Sequence, residues 1–114
     1  MMDYEKIKKA IIDFSEARDW KQFHNPKDLA ASISIEAGEL QEKFLWRTQE
    51  DSYEIWKNDP EVTEEFADIF NNLVLFAEEC WIDVEKAVLD KLEKNCKKYP
   101  VEKCKGRCEK YTKL

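Results

Sequence analysis

Glycine is nearly missing from this chain, with two in 114 residues, and there are only three prolines. The Asn-Gly and Asp-Gly pairs that close β-hairpins do not occur. The glycine-rich P-loop that cradles phosphates in a kinase or GTPase is missing, which argues against a motor-type NTPase. Histidine occurs once, at His24. That excludes histidine-rich zinc sites and the Glu-x-x-His pairs of di-iron bundles, since no Glu precedes His24 by three. No apolar run is long enough to cross a membrane, and the N-terminal residues lack the apolar core of a signal peptide, so a cytoplasmic location is expected. Cys80, Cys96, Cys104 and Cys108 make no metal-ligand spacing and read as reduced thiols.

What is present is helix-forming sequence, rich in Glu, Lys, Leu and Ala. A length of 114 residues fits one domain with a modest core. The net charge is −6, unevenly spread: from Lys97 onward there are seven basic and two acidic residues, and the preceding body is strongly acidic. An acidic body argues against nucleic acid as a partner, which needs a basic footprint.

Four main helices are predicted. The first runs from about Asp3 to Arg18, with Tyr4, Ile7, Ile11 and Phe14 as its buried stripe. Trp20, Phe23 and His24 occupy a connection, where the aromatics either cover one end of a bundle or offer a stacking platform for a nucleobase. Asn25-Pro26 caps the second helix, which runs to about Trp46 with Leu29, Ile33, Leu40 and Phe44 in the core. A short helix is expected at Ser52–Lys57. Asp59-Pro60 opens the third long helix, reaching about Cys80, with Phe66, Ile69, Leu73 and Phe76 packing. Asp83 caps the fourth, Val84 to about Tyr99, which carries a polar stripe of Lys91, Asn95 and Lys98. Short connections make neighbours antiparallel, giving an all-α four-helix bundle. The second helix has more apolar surface than one small bundle hides, so completion by homo-oligomerisation is expected.

Two acidic pairs stand out: Glu36-Ala-Gly-Glu39 and Glu65-Phe-Ala-Asp68. Residues three apart share a helix face, so each pair is a two-carboxylate claw. Each claw extends into a longer stripe, Ser32-Glu36-Glu39-Lys43 and Glu61-Glu65-Asp68-Asn72, with Asn72 facing the same site. Acidic pairs on helices are commonly solvated faces, but two claws meeting would repel unless a cation sat among them. All-oxygen ligands select Mg²⁺ or Mn²⁺. Such ions suit hydrolysis of a small phosphorylated ligand. Gly38, inside the first claw, suggests close approach of a backbone or ligand.

Claw, 25-residue spacer, claw resembles the signature of the MazG-like nucleoside triphosphate pyrophosphohydrolases. Arg18-Asp-Trp-Lys-Gln-Phe-His24-Asn-Pro, Gly38-Glu-Leu, Phe44-Leu-Trp46, Glu64-Glu-Phe-Ala-Asp68-Ile and Asn95-Cys-Lys-Lys-Tyr99-Pro are similar to its dCTP pyrophosphatase branch, over about residues 14–100. The resemblance implies residues 1–100 as a helical catalytic domain and 101–114 as a basic tail. It implies a Mg²⁺-dependent enzyme that cleaves between the α- and β-phosphates, acting on dCTP or a modified cytosine nucleotide. Metal would be held by Glu36, Glu39, Glu65 and Asp68, with Glu36 or Glu39 activating water. Trp20 and Trp46 would hold base and sugar, with His24 and Asn72 beside them. Asn95 and Tyr99 would contact the nucleotide, and Lys91 or Lys98 its phosphates. A homodimer or homotetramer is implied. Ile11 and Asn72 depart from the branch at its nucleoside pocket, which leaves base preference open. Lys105 and Arg107 are candidates to reach phosphates. The alternatives are a broad NTP or dUTP hydrolase of the same superfamily and a non-catalytic nucleotide-binding bundle.

Overall fold

In the computed structural model, which describes residues 1–114, every regular element is helical. The order is α1 (Tyr4–Ala17), a 3₁₀ turn (Lys21–Phe23), α2 (Pro26–Glu42), α3 (Gln49–Asn58), α4 (Pro60–Glu79), α5 (Val84–Lys98), α6 (Val101–Cys104) and a 3₁₀ turn (Tyr111–Lys113). The chain forms two compact units, Met1–Trp81 and Ile82–Leu114.

Caps written in the sequence set the starts. Asp3, Asn25, Thr48, Asp59 and Asp83 each accept a backbone N–H from the first turn of the helix that follows, with N···O distances of 2.9–3.2 Å. Pro26 and Pro60 occupy the first turns of α2 and α4, where a missing N–H forfeits nothing. The ends show what glycine poverty costs. Chains leaving a helix commonly pass through a left-handed residue, usually glycine. Here Asp19 (φ 54°), Trp46 (φ 63°) and Trp81 (φ 56°) fill those positions after α1, α2 and α4.

Within the first unit, α4 is the central element, packed against α1, α2 and α3 and most extensively against α2. The α2–α4 pair is antiparallel. Lys43, which caps the end of α2, pairs with Asp59 at 3.3 Å and with Glu61. Seven residues earlier on α2, Glu36 meets Asp68, seven residues later on α4. On the other flank Lys8 of α1 reaches Glu78 of α4 at 3.9 Å.

The core is thin: Leu29, Val74 and Ala77 are the buried hydrophobics, joined by Ser15. Several side chains expected to pack stand open instead. Phe66 and Leu73 of α4 are 64% and 47% exposed, and Phe14 of α1 is 51% exposed. Ile35 of α2 and Val88 and Leu92 of α5 are also about half exposed or more. The periodicity located real apolar faces, but two or three helices of one chain do not cover them. Helix α2 also stops at Glu42, short of the expected Trp46, because the chain tightens into turns at Lys43–Leu45 before Trp46 reverses it. Helix α3 is longer than expected, since Thr48 supplies an earlier cap. The tail holds α6 and a closing 3₁₀ turn, with Tyr99 and Tyr111 in edge contact at 5.9 Å.

Leu29 is 4% exposed at the base of α2. Leu29→Ala should lower unfolding free energy by about 3 kcal/mol in urea titration, as leucine truncation in a closed core does.

Candidate functional site

The antiparallel register brings the two claws together. Glu36, Glu65 and Asp68 each present a carboxylate oxygen, and these oxygens all lie within 4.8 Å of one another. Glu39, exposed on α2, stands beside them outside that trio, and its charge acts on both Glu36 and Glu65. Helix geometry explains the convergence: i, i+3 spacing sets each pair on one face, and opposite chain directions set face to face.

The electrostatics are those of a cluster short of positive charge. Burial, the adjoining Glu39 carboxyl, and the charges of Asp68 and Glu65 together push Glu36 up to about 7. Burial, then the Glu39 carboxyl and the charge of Asp68, raise Glu65, with Glu36 acting in the opposite direction. Both groups are only partly covered, but one oxygen of each, Glu36 Oε2 and Glu65 Oε2, is shut away from solvent with no hydrogen-bond partner. Buried carboxylate oxygens ordinarily find donors. Two orphans within an all-oxygen donor set fit a hard divalent cation, Mg²⁺ or Mn²⁺, whose ligands these oxygens would be.

Asp68 belongs to a second feature. It lines a cleft of about 430 Å³, together with Asn71, Asn72 and Leu75 of α4, Ala10, Ile11, Phe14 and Ser15 of α1, and Trp20 and His24 of the connection. The volume is in the range of small-ligand sites. Trp20 meets Phe14 edge-on at 5.6 Å, and the Arg18 guanidinium lies 3.7 Å from the Phe14 ring centre. An aromatic wall therefore adjoins the acid cluster through one shared residue. His24 and Ser15 also line a smaller cavity of about 60 Å³ with Glu16, Glu78 and Glu79.

Trp20, His24, Asp68 and Asn72 thus share the cleft, and Glu36 and Glu65 meet Asp68 at its edge. Trp46 does not join them: it projects from the turn after α2, 93% exposed. Lys91, Asn95, Lys98 and Tyr99 lie on α5 and at its end, in the second unit. There Lys98 sits over the Tyr111 ring at 4.9 Å, and Asn95 is half-buried. Arg107 is held by Glu109 at 3.2 Å. Gly38 has open space around it: a Cβ added there would meet nothing within 4 Å, so no backbone of this chain makes the approach expected at that position. Asn71 escaped the sequence reading, although it stands next to Asn72; an i, i+1 neighbour has no pattern that marks it as sharing a cleft. The clamp from Lys43 to Asp59 and Glu61 was visible only as the end of a polar stripe.

The family model for the MazG-like family matches residues 31–114. The chain belongs to the MazG-like family. Similar proteins include dCTP pyrophosphatase 1 of Rattus norvegicus, 36% identical over 113 residues, and that of Homo sapiens, 35% identical; each match covers 96% of this chain. The MazG-like chain spans 66% of the length of those two relatives. Among solved structures it is similar to the crystal structure of a pyrophosphatase from Archaeoglobus fulgidus, with a TM-score of 0.81 and 37% identity, covering 88% of this chain and 94% of that one. The all-α architecture read from the sequence is thus shared with a protein titled a pyrophosphatase.

The raised carboxyls make the metal-free MazG-like fold pH-sensitive in a defined direction. A group whose folded pKa lies above its ordinary value of 4.5 binds its proton more tightly folded than unfolded. Stability is then full below that ordinary value and falls as pH rises through about 7. In chelator, the Tm should therefore decline between about pH 5 and about pH 8, and Glu36→Gln should flatten that decline in calorimetry.

Proposed function

We propose that this MazG-like chain is a nucleoside triphosphate pyrophosphohydrolase, converting a dNTP and water to dNMP and diphosphate, with dCTP or a modified cytosine nucleotide as substrate. The observation that carries the proposal is the carboxylate trio with two orphaned oxygens, opening through Asp68 onto an aromatic-walled cleft. One end of that arrangement suits phosphates and the other a nucleobase. The names of the relatives support the same reading.

Glu36, Glu65 and Asp68, with Glu39 beside them, would hold Mg²⁺ or Mn²⁺. When bound, the cation supplies charge neutralisation on phosphate oxygens and lowers the pKa of coordinated water. Glu39, exposed and outside the trio, is assigned the role of taking the proton from the attacking water; Glu36 supports it from the same helix. The water oxygen bonds to the α-phosphorus, the bond from there to the bridging oxygen breaks, and diphosphate leaves. Trp20 provides a flat face for the base, and His24 and Asn72 offer polar contacts in the cleft. Lys91, Asn95, Lys98 and Tyr99 are assigned to the nucleotide and its phosphates, and residues 1–100 to the catalytic domain, with 101–114 as a basic tail. A nucleotide-pool role in the cytoplasm is consistent with four free thiols and with the absence of any helix long and apolar enough to cross a membrane.

Incubation with Mg²⁺ and each common dNTP and NTP should yield monophosphate plus diphosphate, and EDTA should stop it. Glu36→Gln and Asp68→Asn should each lower kcat by on the order of a hundredfold, as loss of one electrostatic contact to a reacting centre does. Mg²⁺ should also raise the Tm of the wild-type protein but not of either variant. No turnover of any nucleotide would overturn the activity and leave a nucleotide-binding bundle.

The same proposal includes a homodimer or homotetramer. Ile35, Phe66 and Leu73 in the first unit and Val88, Leu89 and Leu92 in the second are all about half exposed or more. Apolar side chains in such number on a monomer mark interaction surface. Sedimentation analysis should give at least twice the 13.6 kDa chain mass, and a stable monomer would overturn this part.

A further inference from the structure

We propose that Asn72 makes the cleft favour cytosine over uracil and thymine, by presenting a fixed acceptor oxygen to the exocyclic amine. The inference rests on the cleft being the nucleoside site, as proposed above, and adds which edge of the base is read.

Asn72 is half-buried on the cleft wall, one helical turn beyond Asp68. Its Nδ2 donates to the backbone carbonyl oxygen of Asp68 at 2.9 Å. A carbonyl oxygen can only accept, so this bond assigns the two ends of the amide without ambiguity. The nitrogen faces the helix backbone, and Oδ1 is left as an acceptor. Oδ1 takes no hydrogen bond within the chain, yet it is not among the buried unpaired atoms, so it keeps access to solvent.

The anchor matters because a free asparagine amide is indifferent. Rotation by half a turn exchanges donor for acceptor, and the side chain can then face either kind of base edge. At position 72 that rotation would break the bond to Asp68 and set two oxygens against each other. Asn71, on the same wall, has no such anchor. Cytosine presents its N4 amine as a donor, whereas uracil and thymine present an O4 acceptor at the same place. A fixed Oδ1 therefore accepts from cytosine and repels the other two. Leaving a polar group of a site unpaired is what makes hydrogen-bond readout discriminating.

The test compares dCTP with dUTP in Mg²⁺. The wild-type protein should favour dCTP in kcat/KM, and Asn72→Leu should reduce that ratio about tenfold, the scale of one hydrogen bond made or left unpaired. Thermal melts of the variant verify folding, and Asn72→Ala replaces it if leucine does not fit. A wild-type ratio near unity, or a folded variant that keeps the wild-type ratio, overturns the inference. Calorimetric binding of dCMP and dUMP in chelator separates the two proposals. A protein that hydrolyses no nucleotide but binds dCMP better, with the preference lost in Asn72→Leu, upholds the base reading while the activity fails. One that hydrolyses dCTP and dUTP equally does the reverse.

Discussion

Carboxylates on two antiparallel helices repel one another, and the first unit is arranged around bearing that repulsion. Glu36, Glu65 and Asp68 converge within 4.8 Å, with Glu39 adding to the field. Nothing in the acid cluster itself favours the α2–α4 pairing. It is held from outside, by Leu29 and Val74 in the small core and by Lys43 joined to Asp59 and Glu61 one turn beyond. Lys43 is the one cation at that end of the stripe. It joins the end of α2 to the start of α4 in the register in which Glu36 faces Asp68. Strain of this kind, stability given up where charge is concentrated, is common at functional sites.

Asp68 carries the second constraint. It contributes a carboxylate to the cluster and its backbone carbonyl to the amide of Asn72, and it lines the aromatic cleft. One residue on one helix therefore ties the carboxylate cluster to the aromatic cleft. Because α4 is a continuous helix through Asp68, Asn71, Asn72 and Leu75, the separation between the two ends is set by helical pitch rather than by a flexible loop. A ligand that fills the cleft is thereby positioned against the carboxylates.

The remaining surface is harder to account for within one chain. Three left-handed turns made by Asp19, Trp46 and Trp81 stand where glycine would be easier, and two of them display a tryptophan almost fully to solvent. The apolar faces of α2, α4 and α5 remain largely uncovered. Both features are what the proposed homodimer or homotetramer would account for, since a second copy of the chain would cover such surface.

Much of this was legible in the sequence. Caps and first-turn prolines located α1, α2, α4 and α5 to within a residue or two at their starts, because a cap is a local bond between neighbours in the chain. Both claws were visible for the same reason, since i, i+3 spacing on a helix is fixed by pitch alone. What sequence order could not supply was anything that depends on two distant segments. Glu39 falling beside the trio rather than in it, Lys43 acting as a clamp, Phe66 and Leu73 facing outward, and Asp68 serving both cluster and cleft all follow from the relative placement of helices. So does the meaning of Asn72. Its neighbour four residues earlier is written in the chain, but that Asn72 lines a cleft with Trp20 was decided only when α1 packed on α4. Local hydrogen bonding determined the elements; the packing of apolar surface against charge decided the site.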